Sequence, residues 1–118
     1  MKQRLLVMNG QRIVQGEQGD GQWQNEKVEK ANGVKPGLYN IYSANQADKT
    51  KAYAGIILHS DKNNVFQQIG KNSFVTHSRT DFSKVPDVGL LKSISYDEQG
   101  KAIVGDAESI KFNQKLSR

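Results

Sequence analysis

The chain contains no cysteine. That excludes disulfides, thiolate nucleophiles, Cys-ligated zinc and iron–sulfur clusters, and it suits a reducing compartment. Long apolar runs are missing too. A membrane span needs about 18 consecutive apolar residues, and nothing here approaches that. Met1-Lys2-Gln3-Arg4 leads only into Leu5-Leu6-Val7-Met8 before Asn9-Gly10 turns the chain. A signal-peptide core needs about 7–15 apolar residues, so a cytoplasmic protein with no membrane contact is expected. No Gly-x-Ser-x-Gly frame surrounds any serine, and no Gly-Lys-Ser/Thr follows the glycine-rich stretch 16–22. The serine-hydrolase elbow and the phosphate-binding loop are therefore absent as motifs. Histidines number only two and aromatic residues nine.

What is present is a chain of 118 residues, the length of one domain. A domain of this size can bury one modest core. Seventeen Lys and Arg against twelve Asp and Glu give a net charge of +5. Phosphate or anionic lipid could answer that excess, but it also falls within the roughly 2–8 charges of an ordinary soluble surface. The charges are dispersed. Residues 1–40 carry six basic and four acidic groups, residues 41–84 six and three, and residues 85–118 five and five. Dispersed charge reads as a solvated surface, with a patch assembled from separate strands as the other reading.

Short apolar runs alternate with turn signals every 8–12 residues, a pattern of strands rather than helices. Leu5–Met8 and Gln11–Val14 flank Asn9-Gly10, whose residues both tolerate the positive φ of a two-residue hairpin turn. Trp23 to Val28 reads as extended or weakly helical. Leu38 to Ala44 reads as a strand after the Lys35-Pro36-Gly37 turn, and Asn45 to Lys51 as a loop or short turn. Tyr53–His59, Asn64–Ile69 and Ser73–His77 form a three-strand meander. Leu90–Tyr96 and Lys101–Val104 form a further hairpin around Asp97-Glu98-Gln99-Gly100, and Ala107 to Leu116 reads as a last strand. The expected fold is all-β (mainly β): a small, partly open antiparallel barrel or a curled meander. One domain over 1–118 is expected, with an N-terminal hairpin extension over 1–36 and a short C-terminal tail over 112–118. Gly10, Gly55, Gly70 and Gly100 read as structural turn glycines.

Several residues invite chemistry. His59 and His77 end two strands, and Asp61 and Arg79 lie two residues beyond them, on the same face in extended chain. A converging His59, Asp61 and His77 would supply general base catalysis. A metal would need further ligands, with Asp81 the only nearby addition. The bland reading, hydrogen-bonded structural histidines, carries the expectation: no enzyme, no cofactor and no metal. Gln67 alternates with Val65 and Ile69, so its amide must find a partner among apolar neighbours or serve as a contact. Tyr39, Tyr42, Tyr53, Phe66 and Phe74 would suit base stacking, although a small β core needs most of them.

The central segment resembles the KfrB family of plasmid-borne proteins. The resemblance rests on Tyr53-Ala54-Gly55-Ile56-Ile57, on Asn64-Val65-Phe66-Gln67-Gln68-Ile69-Gly70 and on Phe74-Val75-Thr76-His77. The opening Arg4–Val14, the stretch Lys35–Tyr42 and the closing Lys115–Arg118 look similar too, so the resemblance extends over nearly the whole chain. It implies a non-enzymatic, bacterial accessory protein for plasmid stability. Implied partners are a KfrA-like coiled-coil DNA-binding protein and a KfrC-like protein, and similar domains occur joined to conjugation proteins. No catalytic residue is carried over. Tyr53, Gln67, His77 and Arg79 are the expected partner-binding residues, and the oligomeric state is open. The alternative is a small β-barrel nucleic-acid-binding protein acting in plasmid maintenance or conjugation. Fluorescence anisotropy with labelled single- and double-stranded oligonucleotides separates the two. Phosphate contact gives binding that weakens steeply with salt, whereas the protein-partner reading predicts no binding at low salt.

Overall fold

The computed structural model describes residues 2–19, 21–71 and 73–106. The expected strand over 107–116 and the tail over 112–118 lie outside these residues. Ten strands are described. The first sheet holds β1 (Gln3–Met8), β2 (Gln11–Glu17), β3 (Trp23–Lys30) and β4 (Gly37–Tyr39), in the order β3-β2-β1-β4. The second holds β5 (Asn45–Gln46), β6 (Tyr53–Ser60), β7 (Asn64–Gly70), β8 (Ser73–Ser78), β9 (Leu91–Tyr96) and β10 (Ala102–Asp106), in the order β10-β9-β6-β7-β8-β5. All pairings are antiparallel except β5 with β8. No described helix is long and apolar enough to cross a membrane.

Local chemistry explains the hairpins. Asn9 and Gly10 both take positive φ, 53° and 75°, the conformation of a type I′ turn, whose twist matches that of the flanking strands. β1 and β2 then pair without interruption from Met8↔Gln11 to Gln3↔Gly16. At the Asp97–Gly100 turn, one Asp97 oxygen accepts from the Gln99 and Lys101 amides, and Gly100 takes φ 79°.

The sheets pack face to face. Leu5, Val7 and Val14 of the first sheet meet Leu58, Phe66 and Phe74 of the second, with Ala31, Val34 and Ile41 filling in from the connections. The opposite face of the second sheet carries another core, where Ile57, Val65 and Ile94 pack on Phe82 of the connector before β9. Full burial of such a side chain stabilises by about 1.5–3 kcal/mol. Both faces of the second sheet are thus covered, one by a sheet and one by a loop.

A β-bulge in β6 shapes this arrangement. Ile57 pairs with Gln67, but His59 pairs with Phe66, which leaves Leu58 as the extra residue. Ile57 therefore faces the connector core, while Leu58 and His59 both face the first sheet. Strict alternation would have put His59 beside Ile57.

Two open alternatives resolve, the fold and Trp23–Lys30, and two expectations change. The barrel does not form: the two sheets are not closed on each other, and the curled-meander alternative describes the second. The strand expected over Leu38–Ala44 stops at Tyr39, where a 3-10 turn over Ile41–Ser43 buries Ile41 and the Ser43 hydroxyl donates to the Asn40 carbonyl. Trp23–Lys30 is a full edge strand whose exposed Glu26 and Lys27 discourage further pairing. Asn45–Gln46 pairs in parallel with Val75–Thr76, a remote contact with no local signature.

Gly55 and Gly70 are not turn residues of positive φ. Gly55 lies within β6, where an added Cβ would stand 1.8 Å from the Gln68 carbonyl oxygen. Gly55→Ala is expected to destabilise the fold by about 3 kcal/mol. At Gly70 the added Cβ meets Ser73 at an ordinary 3.4 Å, and Gly70→Ala should stay within about 1 kcal/mol. Urea denaturation of the two variants checks the contrast.

Candidate functional site

Tyr53, Gln67 and His77 come together on the connector face of the second sheet. β7 turns Gln67 to the same side as Val65, and β8 turns His77 to the side that its register partner Val65 occupies. Both Gln67 and His77 are 0% exposed. The Gln67 amide nitrogen donates to the Lys92 carbonyl at 3.0 Å and, at longer range, to the Tyr53 and Gly55 carbonyls. That orientation leaves Gln67 Oε1 as an acceptor 2.8 Å from His77 Nε2. His77 must therefore carry its proton on Nε2, so Nδ1 accepts from the Tyr96 hydroxyl at 2.5 Å. The backbone carbonyls thus dictate one tautomer through a chain of donors.

Rings close around the histidine. Tyr53 and Phe82 approach it edge-on, at centroid distances of 5.7 and 6.0 Å, and Tyr96 lies stacked at 5.9 Å. Loss of solvation lowers the His77 pKa to about 4, against an opposing pull from Asp81. Burial, aided by Asp81 and Tyr53, raises the Tyr96 hydroxyl to about 12. Asp81 itself is ion-paired with Lys49 at 2.9 Å. The network is neutral and satisfied near pH 7. It holds four strands together.

The second histidine belongs to another assembly. His59 stacks on Phe66, and its Nδ1 lies 2.9 Å from Arg12 Nη1. Since Arg12 only donates, this nitrogen accepts. Arg12 is only 5% exposed and also donates to the Lys30 carbonyl at 2.7 Å, while Glu29 stands 3.5 Å from its guanidinium. Desolvation and then the Arg12 charge lower the His59 pKa, against Glu29 and Asp61. This group ties β2 and β3 to β6. His59 and His77 therefore sit on opposite faces, and His59, Asp61 and His77 do not converge. Asp61 instead caps its own turn, accepting from the Asn63 and Asn64 amides. Among the described residues no three His, Asp or Glu side chains gather at metal-binding range.

Gln67 and His77 are thus interior groups and not the contact surface expected of them. Tyr53 is half-buried, and Arg79 is exposed, donating to the Asp61 carbonyl at 2.9 Å. The base-stacking platform is not assembled at the surface, because Phe66 and Phe74 lie in the core. Tyr96 and Arg12 were not singled out as site residues from the sequence. Both carried a readable signal: each alternates with an apolar residue, Ile94 or Val14, as Gln67 does with Val65.

Residues 52–106 match the model of the KfrB Domain family. The matched segment comprises β6 to β10 and contains the entire His77 network. The first sheet lies outside it, so the match is narrower than the whole-chain resemblance. No curated protein matches the chain.

The network predicts a pH dependence. The folded pKa of His77 lies below its unfolded value of about 6.5, so the unfolded chain binds more protons between pH 6.5 and 4. Stability is complete above this window, falls by about 3 kcal/mol as pH drops through it and levels off below. His59 adds a contribution of the same sign. Urea unfolding between pH 7 and 4 measures the slope, and His77→Ala should be less stable at pH 7 but lose most of the slope. An undiminished slope in that variant would assign the titration elsewhere.

Proposed function

We propose that this protein is a non-enzymatic interaction module of the plasmid-maintenance apparatus, docking a KfrA-like coiled-coil DNA-binding partner. A KfrC-like protein is a further partner, and the same docking role suits conjugation machinery. One observation carries this reading: both histidines, with Gln67 and Arg12, point inward and satisfy one another, while large apolar groups point outward. Gln67, His77, His59 and Arg12 are all buried, whereas Met8, Val28, Leu38, Leu90 and Ile103 are 43–52% exposed. Apolar surface of this kind is the usual material of protein interfaces when it is contiguous.

Co-purification with a coiled-coil partner encoded on the same plasmid tests the proposal. A complex that survives size-exclusion chromatography is expected. Its formation should tolerate His77→Gln, because that side chain is internal, and should weaken when exposed apolar residues become charged. Failure of the folded protein to bind the coiled-coil partner would overturn the reading.

A further inference from the structure

We infer that the outer face of the first sheet is a docking surface for an amphipathic α-helix with acidic flanks. The inference deepens the proposed function and rests on it for the partner being a protein. Leu5, Val7, Arg12 and Val14 point toward the second sheet. Strand alternation then turns Leu6, Met8 and Ile13 away from it. Register aligns these residues with their neighbours: Leu38 lies opposite Leu6, Leu6 opposite Ile13, and Ile13 opposite Val28. The four aliphatic side chains form one row across β4, β1, β2 and β3. Its ends are open, with Leu38 51% and Val28 50% exposed, while in its middle Leu6 is half-buried and Ile13 only 9% exposed; no described strand packs on it.

The row has the dimensions of a helix stripe. Three strand spacings of about 4.8 Å make roughly 14 Å, which ten residues of helix cover with apolar positions every third or fourth residue. Polar rows run along both sides. On one side, Arg4 Nε donates to Gln15, and Gln15 donates to Asn25, at 2.8 and 2.9 Å. Beyond them the Arg4 guanidinium lies 4.1 Å from the Trp23 ring centre, and Lys2 lies 5.3 Å from that of Tyr42. On the other side stand Met8, Gln11 and Lys30, aligned by register. Among the described residues of this face, Lys2, Arg4 and Lys30 thus flank the row against one acidic group, Glu17. A second copy of this face would bring like charges together, while carboxylates beside an apolar helix stripe would complement them. The edge of β3 is no substitute, since Glu26 bulges from it between the Val14↔Lys27 and Gln15↔Asn25 pairs and it carries charges.

The probe is a labelled 18-residue synthetic helix with leucine at every third or fourth position and glutamate on its flanks. A lysine-flanked peptide with the same leucines is the control. The glutamate peptide should bind the full chain, weaken with salt and lose at least tenfold in affinity on Leu38→Glu. Should Leu38→Glu disturb folding, Val28→Glu at the other end of the row makes the same test. Ile103→Glu, equally exposed but on the second sheet, should leave binding unchanged. Equal binding of the lysine peptide, no binding of the glutamate peptide to folded protein, or loss through Ile103→Glu alone would overturn the inference. So would a dimer in sedimentation that dissociates on Leu38→Glu, since a second copy would then occupy the face. Capture of the coiled-coil partner by wild type and Leu38→Glu alike would overturn this surface and leave the proposed function standing. Capture by neither would remove the proposed function itself.

Discussion

Strand β6 has apolar side chains to bury on both faces, and the rest of the molecule is arranged around that requirement. It lies between β7 and β9, with Ile57 toward the connector and Leu58 toward the first sheet, both 0% exposed. A single layer on one side would leave one of them in water. The first sheet supplies one cover and the segment from Phe82 to Leu90 the other. That segment is pinned to the strand, with Gly89 N donating to Ile57 O at 2.7 Å and Ile57 N to Leu90 O at 3.0 Å. The bulge at Leu58 then sends His59 to the first sheet, where Arg12 meets it. An uninterrupted strand would bring His59 toward the face that holds His77.

Two buried polar groupings follow from this layering, one on each face. Around His77 the partners are neutral, and each donor or acceptor has a mate, so burial costs little and the geometry is specific. Around Arg12 the charge is buried beside a neutral histidine, two backbone carbonyls and the half-exposed Glu29. Desolvation lowers the Arg12 pKa, and Glu29 offsets part of that effect. Both groupings make the relation of the strands specific.

Much of the fold was legible because strands and tight turns are local. Asn9-Gly10, the alternation through Tyr53–His77 and the glycine of the last hairpin each report a backbone preference carried by neighbouring residues. Gln67 was legible as a group in need of a hydrogen bond, since alternation put it among Val65 and Ile69. Its partners were not, because His77, Lys92 and Tyr53 reach it through the pairing of three other strands. The 3-10 turn at Ile41 was misread for a similar reason: a strand-like composition yielded to the burial of one isoleucine in a core formed by distant residues.

Legible from the residues alone are an all-β chain without thiol chemistry and a segment, 52–106, that matches the KfrB domain model. These properties depend on which residues occur and on spacings of a few positions. Tertiary structure decided what those residues do. Register across four strands, which no local spacing encodes, gathered Leu38, Leu6, Ile13 and Val28 into one row exposed at its two ends. A single extra residue in β6 reversed the face of His59 and kept it away from His77. Side-chain direction in a strand has a period of two, so one bulge or one step of register reassigns every group beyond it, and only the assembled sheets show where such a step falls.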